Sequence, residues 1–139
     1  MAKLNLIGQE GSVVVRGVSA ADAAEWTPAS EESPDTVIFK GFDWEDVNLV
    51  AVFRGTTGGA ETATVEMLIG IPDPENNGAL IWVQDSTDLS GLSHLAYKRV
   101  QIDGHFVAFR VSSLTLDSAT SLDLMVTGGV ARRRGVRQS

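Results

Sequence analysis

The sequence predicts an all-β protein: an antiparallel two-sheet sandwich, jelly-roll-like, with a short N-terminal helix and extended termini. Short runs of β-branched and aromatic residues recur, clusters of Gly, Pro, Asn, Asp or Ser bound these runs, and helical periodicity is scarce. About eight such runs at short spacing are typical of a sandwich or a small barrel. The length of 139 residues suits one domain with one hydrophobic core.

Each predicted strand depends on its own pattern. The predicted strands are residues 3–7, 12–18, 36–40, 46–54, 62–71, 79–84, 97–102, 105–111 and 121–127. Alternation in residues 62–71 predicts four side chains that face the core, namely Val65, Met67, Ile69 and Ile71. Leu68 breaks this alternation and indicates a covered patch on the outer face. In the last strand Leu122, Leu124 and Val126 share one face.

Glycine and aspartate punctuate the strands. The stretch TTGGAE at residues 56–61 predicts a hairpin turn, because glycine adopts positive φ without steric cost. The dipeptide Asp103-Gly104 predicts the clearest hairpin of the chain, between residues 97–102 and 105–111. Residues 19–26 predict a short helix that begins with Ser19 as its N-cap. Gly91 argues against a long helix in residues 88–97, although one helical turn fits there.

Composition predicts three segments within one soluble chain. We expect an N-terminal arm at 1–35, a β-sandwich at 36–129 and a basic tail at 130–139, with the polar stretch 27–35 separating arm from sandwich. No apolar run approaches the roughly twenty residues that a membrane helix requires, so we expect no membrane partner. The N-terminal residues lack a signal-peptide pattern, which favours synthesis and retention in the cytoplasm.

The charge is unevenly distributed along the chain. The formal net charge is -7, and Lys40 and Arg54 are the only basic residues between Gly17 and Glu75. Because an acidic surface repels phosphates, we expect no nucleic-acid partner. The charged residues after Gly129 are all arginines: Arg132, Arg133, Arg134 and Arg137. Arginines at such a density are expected to bind carboxylates, either in residues 22–46 or on another subunit.

Few side chains point to catalysis. The chain has no cysteine, which excludes disulfides, thiolate metal sites and cysteine nucleophiles. The histidines are His94 and His105, and Ser93 with the neighbouring aspartates Asp85, Asp88 and Asp103 could complete a serine–histidine–aspartate set. No GxSxG elbow accompanies them, so we predict no catalytic residue, no cofactor and no enzyme activity.

Two acidic loops and three tryptophans raise the question of ligand binding. The loops at 43–46 and 73–78 offer oxygen ligands, but neither has the ligand order of an EF-hand. We therefore predict solvated loops and no metal site, with structural calcium left open as an alternative. Trp82 lies in an apolar strand and is predicted to be part of the core, which leaves Trp26 and Trp44 as candidate platforms for a sugar or a neighbouring protein.

Two stretches carry a resemblance to a known class of proteins. The stretch GFDWEDVNLVAVFRGTTGGAETATVEMLIGI and the later stretch HFVAFRVSSLTLDSATSLDLMVTGG resemble the small β-sandwich decoration, or cement, proteins of tailed bacteriophage capsids. The resemblance covers about residues 36–129 and consists of paired strands, polar loops and a closing strand pair. It carries over no catalytic or cofactor residue.

The resemblance implies a non-enzymatic structural protein on the capsid exterior that is made in the host cytoplasm. Its expected partners are the major capsid protein and copies of itself, with a homotrimer favoured. The expected interface residues are Trp26, Trp44 and the four tail arginines. The alternative that the sequence leaves open is a carbohydrate- or receptor-binding β-sandwich module of a phage fibre or tail.

Overall fold

The protein is all-β, with two antiparallel four-strand sheets arranged as a sandwich. The computed structural model describes residues 2–5, 12–19, 35–40, 44–102 and 106–131. The strands are β1 (Ala2–Asn5), β2 (Ser12–Val18), β3 (Asp35–Lys40), β4 (Trp44–Gly55), β5 (Thr62–Pro72), β6 (Leu80–Gln84), β7 (Leu89–Leu92), β8 (Tyr97–Gln101), β9 (Phe106–Thr115) and β10 (Ala119–Ala131). The helical structure within the described ranges is a 3-10 turn at Pro74–Asn76. No helix in these ranges is long and apolar enough to cross a membrane.

Strands from the start of the chain pair with strands from its end. One half of the hydrogen-bonded path is β2-β10-β4-β8, and the other is β6-β5-β9-β3. The halves meet through β2 and β3, which share only the pairs Val15 with Thr36 and Arg16 with Asp35. β1 adds to β3 in parallel, and β7 adds to β5 beside β6. The amino-terminal strands therefore lie within the sheets and next to the carboxyl-terminal ones.

Two hairpins predicted from the sequence are wrong. Residues 56–61 connect β4 to β5, yet β4 pairs with β8 and β10 while β5 pairs with β6, β7 and β9. The strands on either side of Asp103-Gly104 are also separated, because β8 pairs with β4 and β9 pairs with β3 and β5. The dipeptide itself lies outside the described residues. In both cases the flanking strands thus lie in different sheets.

The core lies between the inner faces of the two sheets. The predicted core residues Val65, Met67 and Ile69 are buried, as is the whole predicted face of β10 at Leu122, Leu124 and Val126. Leu68 is only 2% exposed and lies outside the core cluster, which confirms a covered patch on the outer face of β5. Ile71 lies on the predicted face, but 42% of this residue is exposed, so the prediction that it belongs to the core is wrong.

The amino-terminal boundary differs from the predicted one. β2 lies in the segment predicted as an arm, but Val14, Val15 and Val18 are fully buried in the core cluster. The sandwich therefore begins before residue 36. The predicted helix at 19–26 falls, beyond Ser19, outside the described residues. Residues 88–97 contain the strand β7 and a turn in place of a helical turn.

A bulge in β2 binds a buried carboxylate. Val18 lies opposite Leu122 and Val15 lies opposite Leu124, so β2 has one more residue than β10 over this stretch. Gly17 absorbs the extra residue with a φ of +70°, a conformation that glycine adopts without strain. Its N–H donates to Oδ1 of Asp123 at 2.8 Å, and Nε of Arg54 donates to Oδ2 of the same carboxylate at 3.0 Å. Asp123 thereby joins β2, β10 and β4.

Candidate interaction surface

Most of the predicted interface residues lie outside the described ranges: Arg132, Arg133, Arg134, Arg137 and Trp26. Trp44 begins β4, and its backbone pairs with Ala131 at the end of β10. The Trp44 side chain is outside the described set. The tail therefore starts beside the first residue of β4, in the sheet that contains β2, β10, β4 and β8.

His94 makes a structural contact. Its Nδ1 accepts a hydrogen bond from the backbone N–H of Phe53 at 3.0 Å, and its ring meets the Phe53 ring edge-on at 6.3 Å between centroids. This contact fixes the turn after β7 against β4. His105 and Asp103 lie outside the described residues.

The aspartates near His94 in sequence are engaged by their own loop. Asp85 accepts hydrogen bonds from the N–H and hydroxyl of Thr87, and Asp88 accepts them from the N–H of Ser90 at 3.1 Å and its hydroxyl at 2.6 Å. The Ser90 hydrogen bonds hold the pKa of Asp88 below its ordinary value, because they stabilise the charged carboxylate. Within the described ranges these groups do not form a serine–histidine–aspartate triad.

The acidic loops have internal partners as well. Oδ2 of Asp46 accepts from Nε of Arg99 at 3.0 Å. In the second loop Oδ1 of Asp73 accepts from the N–H of Glu75 at 3.0 Å and caps the 3-10 turn. Backbone hydrogen bonds from Gly78 to Asp73 and from Asp73 to Ala79 close this loop. Searching the described residues finds no group of three or more His, Asp or Glu side chains placed to hold a metal ion.

The two edge strands of the path differ in how well they are protected from pairing with another chain. β8 forms one edge and presents the exposed cations Lys98 and Arg99, which hinder pairing with a further strand. β6 forms the other edge with the sequence LIWVQ, which contains no charge and no proline. On its outer side β6 has no strand partner among the described residues. Its outward N–H and C=O groups are therefore available to another chain.

Apolar side chains are exposed next to this edge. Ile81 is 50% exposed, Val83 is 48% exposed, and Ile71 lies directly opposite Ile81 on β5. These three share the core-facing side of the hairpin, since Val83 pairs with the core residue Ile69. No residue of β6 belongs to the core cluster, which means that the opposite sheet does not cover this strand. We call Ile71, Ile81, Val83 and the outer backbone of β6 the β6 edge.

The other face of the same hairpin is closed by a tryptophan. Trp82 lies opposite Gly70 and covers it, because a Cβ added at Gly70 would approach Trp82 Cζ3 to 2.9 Å. Gly70 follows the core residue Ile69 and so faces outward. The prediction that Trp82 belongs to the core is thus wrong: the residue is half-buried and packs over Gly70 on the outer face.

The surroundings of the β6 edge are acidic. Residues 55–97 contain no lysine and no arginine, and the loops on either side of β6 carry Asp73, Glu75, Asp85 and Asp88. Of these four, Asp88 has a cation beside it, since Lys98 Nζ donates to its backbone C=O at 3.5 Å. Glu75 and Asp88 are exposed. An apolar strip with carboxylates at both ends is chemically suited to an extended partner that is basic.

A polar junction marks the opposite end of the sandwich. The buried carboxylate of Glu61 accepts hydrogen bonds from the N–H groups of Gly58 and Gly59, and this closes the connection between β4 and β5. Asp117, in the turn before β10, accepts from the N–H of Ala60 at 3.4 Å. Local carboxylates therefore hold the two connections that meet here.

Scans against protein-family models, curated proteins and solved structures found no match. The β6 edge was missed by sequence reasoning, which placed the interface in the tail and at two tryptophans. The signal that could have found it is the uncharged stretch ALIWVQ between two acidic loops.

Proposed function

We propose that this protein is a non-enzymatic structural protein of a virus particle, a capsid decoration protein that stabilises contacts between major capsid protein subunits. In this role it is made in the host cytoplasm, forms a homo-oligomer with a trimer favoured, and binds the capsid exterior. Neither nucleic acid nor membrane is a partner. The four tail arginines, Trp26 and Trp44 remain the proposed contact residues.

The observation that carries the proposal is the strand order. β1 and β7 lie off the main strand path, as additions to β3 and β5. Without them eight strands remain, and these can be numbered first to eighth along the chain. One half of the path is then first-eighth-third-sixth, and the other is second-seventh-fourth-fifth. This is the order expected of a jelly roll, an architecture recurrent in viral capsid and lectin domains. It supports the jelly-roll form of the sandwich and the proposed membership in a particle.

The surface chemistry supports a role in assembly. Carboxylates around β6 and arginines in the tail give one chain two surfaces of opposite charge. Arginine–carboxylate pairs combine charge with bidentate geometry, which suits contacts between protein subunits. A stable contact between subunits buries about 800 Å² on each partner. A protein that binds the assembled shell and not its free subunits stabilises the shell by mass action.

The test is the recovery of the protein with purified particles. We expect the full chain to co-sediment with particles at a fixed copy number, and a chain that ends at Ala131 to be lost from them. Ala131 is retained because it pairs with Trp44 in the sheet. A chain with lysine at positions 132, 133, 134 and 137 is the control that keeps the charge and loses the bidentate geometry, and we expect intermediate recovery. Equal recovery of all three chains would exclude the tail as the contact.

A second candidate is a carbohydrate- or receptor-binding module. The observation in its favour is Tyr97, whose side chain stands on the edge strand β8 with 67% of its surface exposed. Exposed aromatic rings stack against the apolar faces of sugars, and lectin domains share the jelly-roll order. Glycan-array binding that disappears in both Tyr97→Ala and Trp44→Ala would favour this function over decoration. Binding that survives both substitutions would remove it.

A further inference from the structure

We propose that the β6 edge binds the basic C-terminal segment, residues 132–139, of a second copy of this chain. The inference deepens the proposed function and rests on its assignment of the tail as a contact segment, because it names the surface that receives the tail.

The outer backbone of β6 is open to pairing with an added strand. The strand ends the path β6-β5-β9-β3, and its outer side has no partner in the described part of the chain. An extended peptide that adds to such an edge gains main-chain hydrogen bonds without any rearrangement of the sheet. The edge at β8 is a poor acceptor by comparison, since Lys98 and Arg99 stand on it.

The exposed side chains beside this edge offer an apolar surface to the same partner. Ile81 and Val83 are two residues apart and share one face of β6, and Ile71 extends this face onto β5. A chain added at the edge would cover them with every second side chain of its own. Trp82 covers Gly70 on the opposite face of the hairpin, so the apolar strip is the face left open beside the edge.

Charge decides which partner binds. Pairing of two β6 strands would bring the carboxylates around one strand towards the same carboxylates of the other copy, which is unfavourable. The tail has the opposite charge, with four arginines and no acidic residue after Ala131. Val136 lies among these arginines and offers an apolar side chain to the exposed strip. A tail is therefore favoured over a second β6.

The geometry of the two surfaces predicts the form of the assembly. The tail leaves from the end of β10, while β6 lies at the edge of the other sheet. The contact thus joins the tail of one copy to a different surface, the β6 edge, of another copy. Such a contact is heterologous. Heterologous contacts generate closed rings when the rotation permits, and a trimer is one such ring.

Two variants test the contact between copies, and each lacks one of its two sides: the β6 edge or the tail. The donor variant is the full chain with Ile81→Lys, which keeps the tail and blocks the β6 edge. The acceptor variant ends at Ala131 and keeps the β6 edge without a tail. In sedimentation velocity at low ionic strength we expect each variant alone to be a monomer and their equimolar mixture to form a one-to-one dimer. The unmodified chain is expected to form a closed oligomer.

Matched substitutions separate the site from general charge effects. Tyr97→Lys in place of Ile81→Lys makes the same charge at an exposed position of the other edge strand, and we expect it to leave self-association within twofold of the unmodified chain. Val83→Lys is a second blocking variant in case Ile81→Lys is unfolded. In the acceptor variant Glu75→Gln should weaken the mixed dimer about two- to fivefold, whereas Asp117→Asn at the opposite end should not change it.

Three results would overturn the inference. They are the absence of a mixed dimer between folded donor and acceptor variants, self-association of the acceptor variant through β6, and an equal effect of Tyr97→Lys and Ile81→Lys. Failure here differs from failure of the proposed function. If the chain that ends at Ala131 is lost from particles but forms no mixed dimer, the proposed function stands and the tail binds elsewhere.

Discussion

The carboxylate of Asp123 should stabilise the fold mainly through one backbone hydrogen bond. Asp123 is 5% exposed and accepts from Gly17 N–H at 2.8 Å and from Arg54 Nε at 3.0 Å. Hydrogen bonds to charged groups contribute about 1.5–3 kcal/mol. Gly17 is exposed, so water partly replaces the carboxylate when Asp123 is substituted by alanine. We therefore expect the loss of the Gly17 hydrogen bond to cost about 2 kcal/mol of stability.

The ion pair at the same carboxylate should contribute much less. The Arg54 side chain is 50% exposed, and exposed pairs are worth about 0–1 kcal/mol after screening by solvent. We therefore expect Asp123→Ala to lower the free energy of unfolding by about 2–3 kcal/mol and Arg54→Ala to lower it by under about 1 kcal/mol. Asp123→Asn keeps an oxygen acceptor for Gly17 and should cost about 1 kcal/mol.

Urea unfolding of the four chains at one protein concentration measures these differences. A double-mutant cycle between Asp123→Ala and Arg54→Ala should give a coupling below about 1 kcal/mol. Two results would contradict this assignment: an Asp123→Asn cost equal to that of Asp123→Ala, or an Arg54→Ala cost that accounts for the whole loss. Either result would mean that the ion pair, and not the bulge at Gly17, is the main partner of this carboxylate.

Three further predictions follow from the described contacts. Phe109→Ala should lower the free energy of unfolding in urea by about 3–5 kcal/mol, because Phe109 is fully buried. Ile71→Ala should lower it by under about 1 kcal/mol, because Ile71 is 42% exposed. Similar costs for the two substitutions would contradict the assignment of Ile71 to the surface. His94→Ala should cost about 1–2 kcal/mol by leaving Phe53 N–H without its acceptor, and full stability of that variant would show that the contact is dispensable. Ser90→Ala should raise the pKa of Asp88 towards its ordinary value in a carboxyl NMR titration. Because the folded pKa is depressed, the stabilisation is present above the ordinary pKa and is lost as the pH falls through the folded pKa, so an unchanged titration would exclude Ser90 as the cause.

The sequence predicted strands better than it predicted their partners. β2, β5 and β10 were found close to their observed positions, because alternation and β-branched residues are local signals. The two hairpins were wrong because a turn dipeptide indicates a change of direction and does not determine which sheet the next strand joins. In this sandwich β4 and β5 lie in different sheets, as do β8 and β9.

Burial at the margin of the sandwich was also beyond sequence reasoning. Alternation placed Ile71 on the core-facing side correctly, but it carries no information on whether the opposite sheet extends far enough to cover that position. The same limit applies to Trp82, whose apolar strand predicts burial without specifying the face. The β6 edge results from both effects and could be recognised only once the strand order was known.

Cryo-electron microscopy of purified particles that contain the protein tests the proposed function most directly. We expect density for the sandwich on the outside of the shell at junctions between capsid subunits, with the chain after Ala131 in contact with carboxylates of a neighbouring subunit. Density for the sandwich inside the shell, or on a fibre with the tail free of protein contacts, would contradict it.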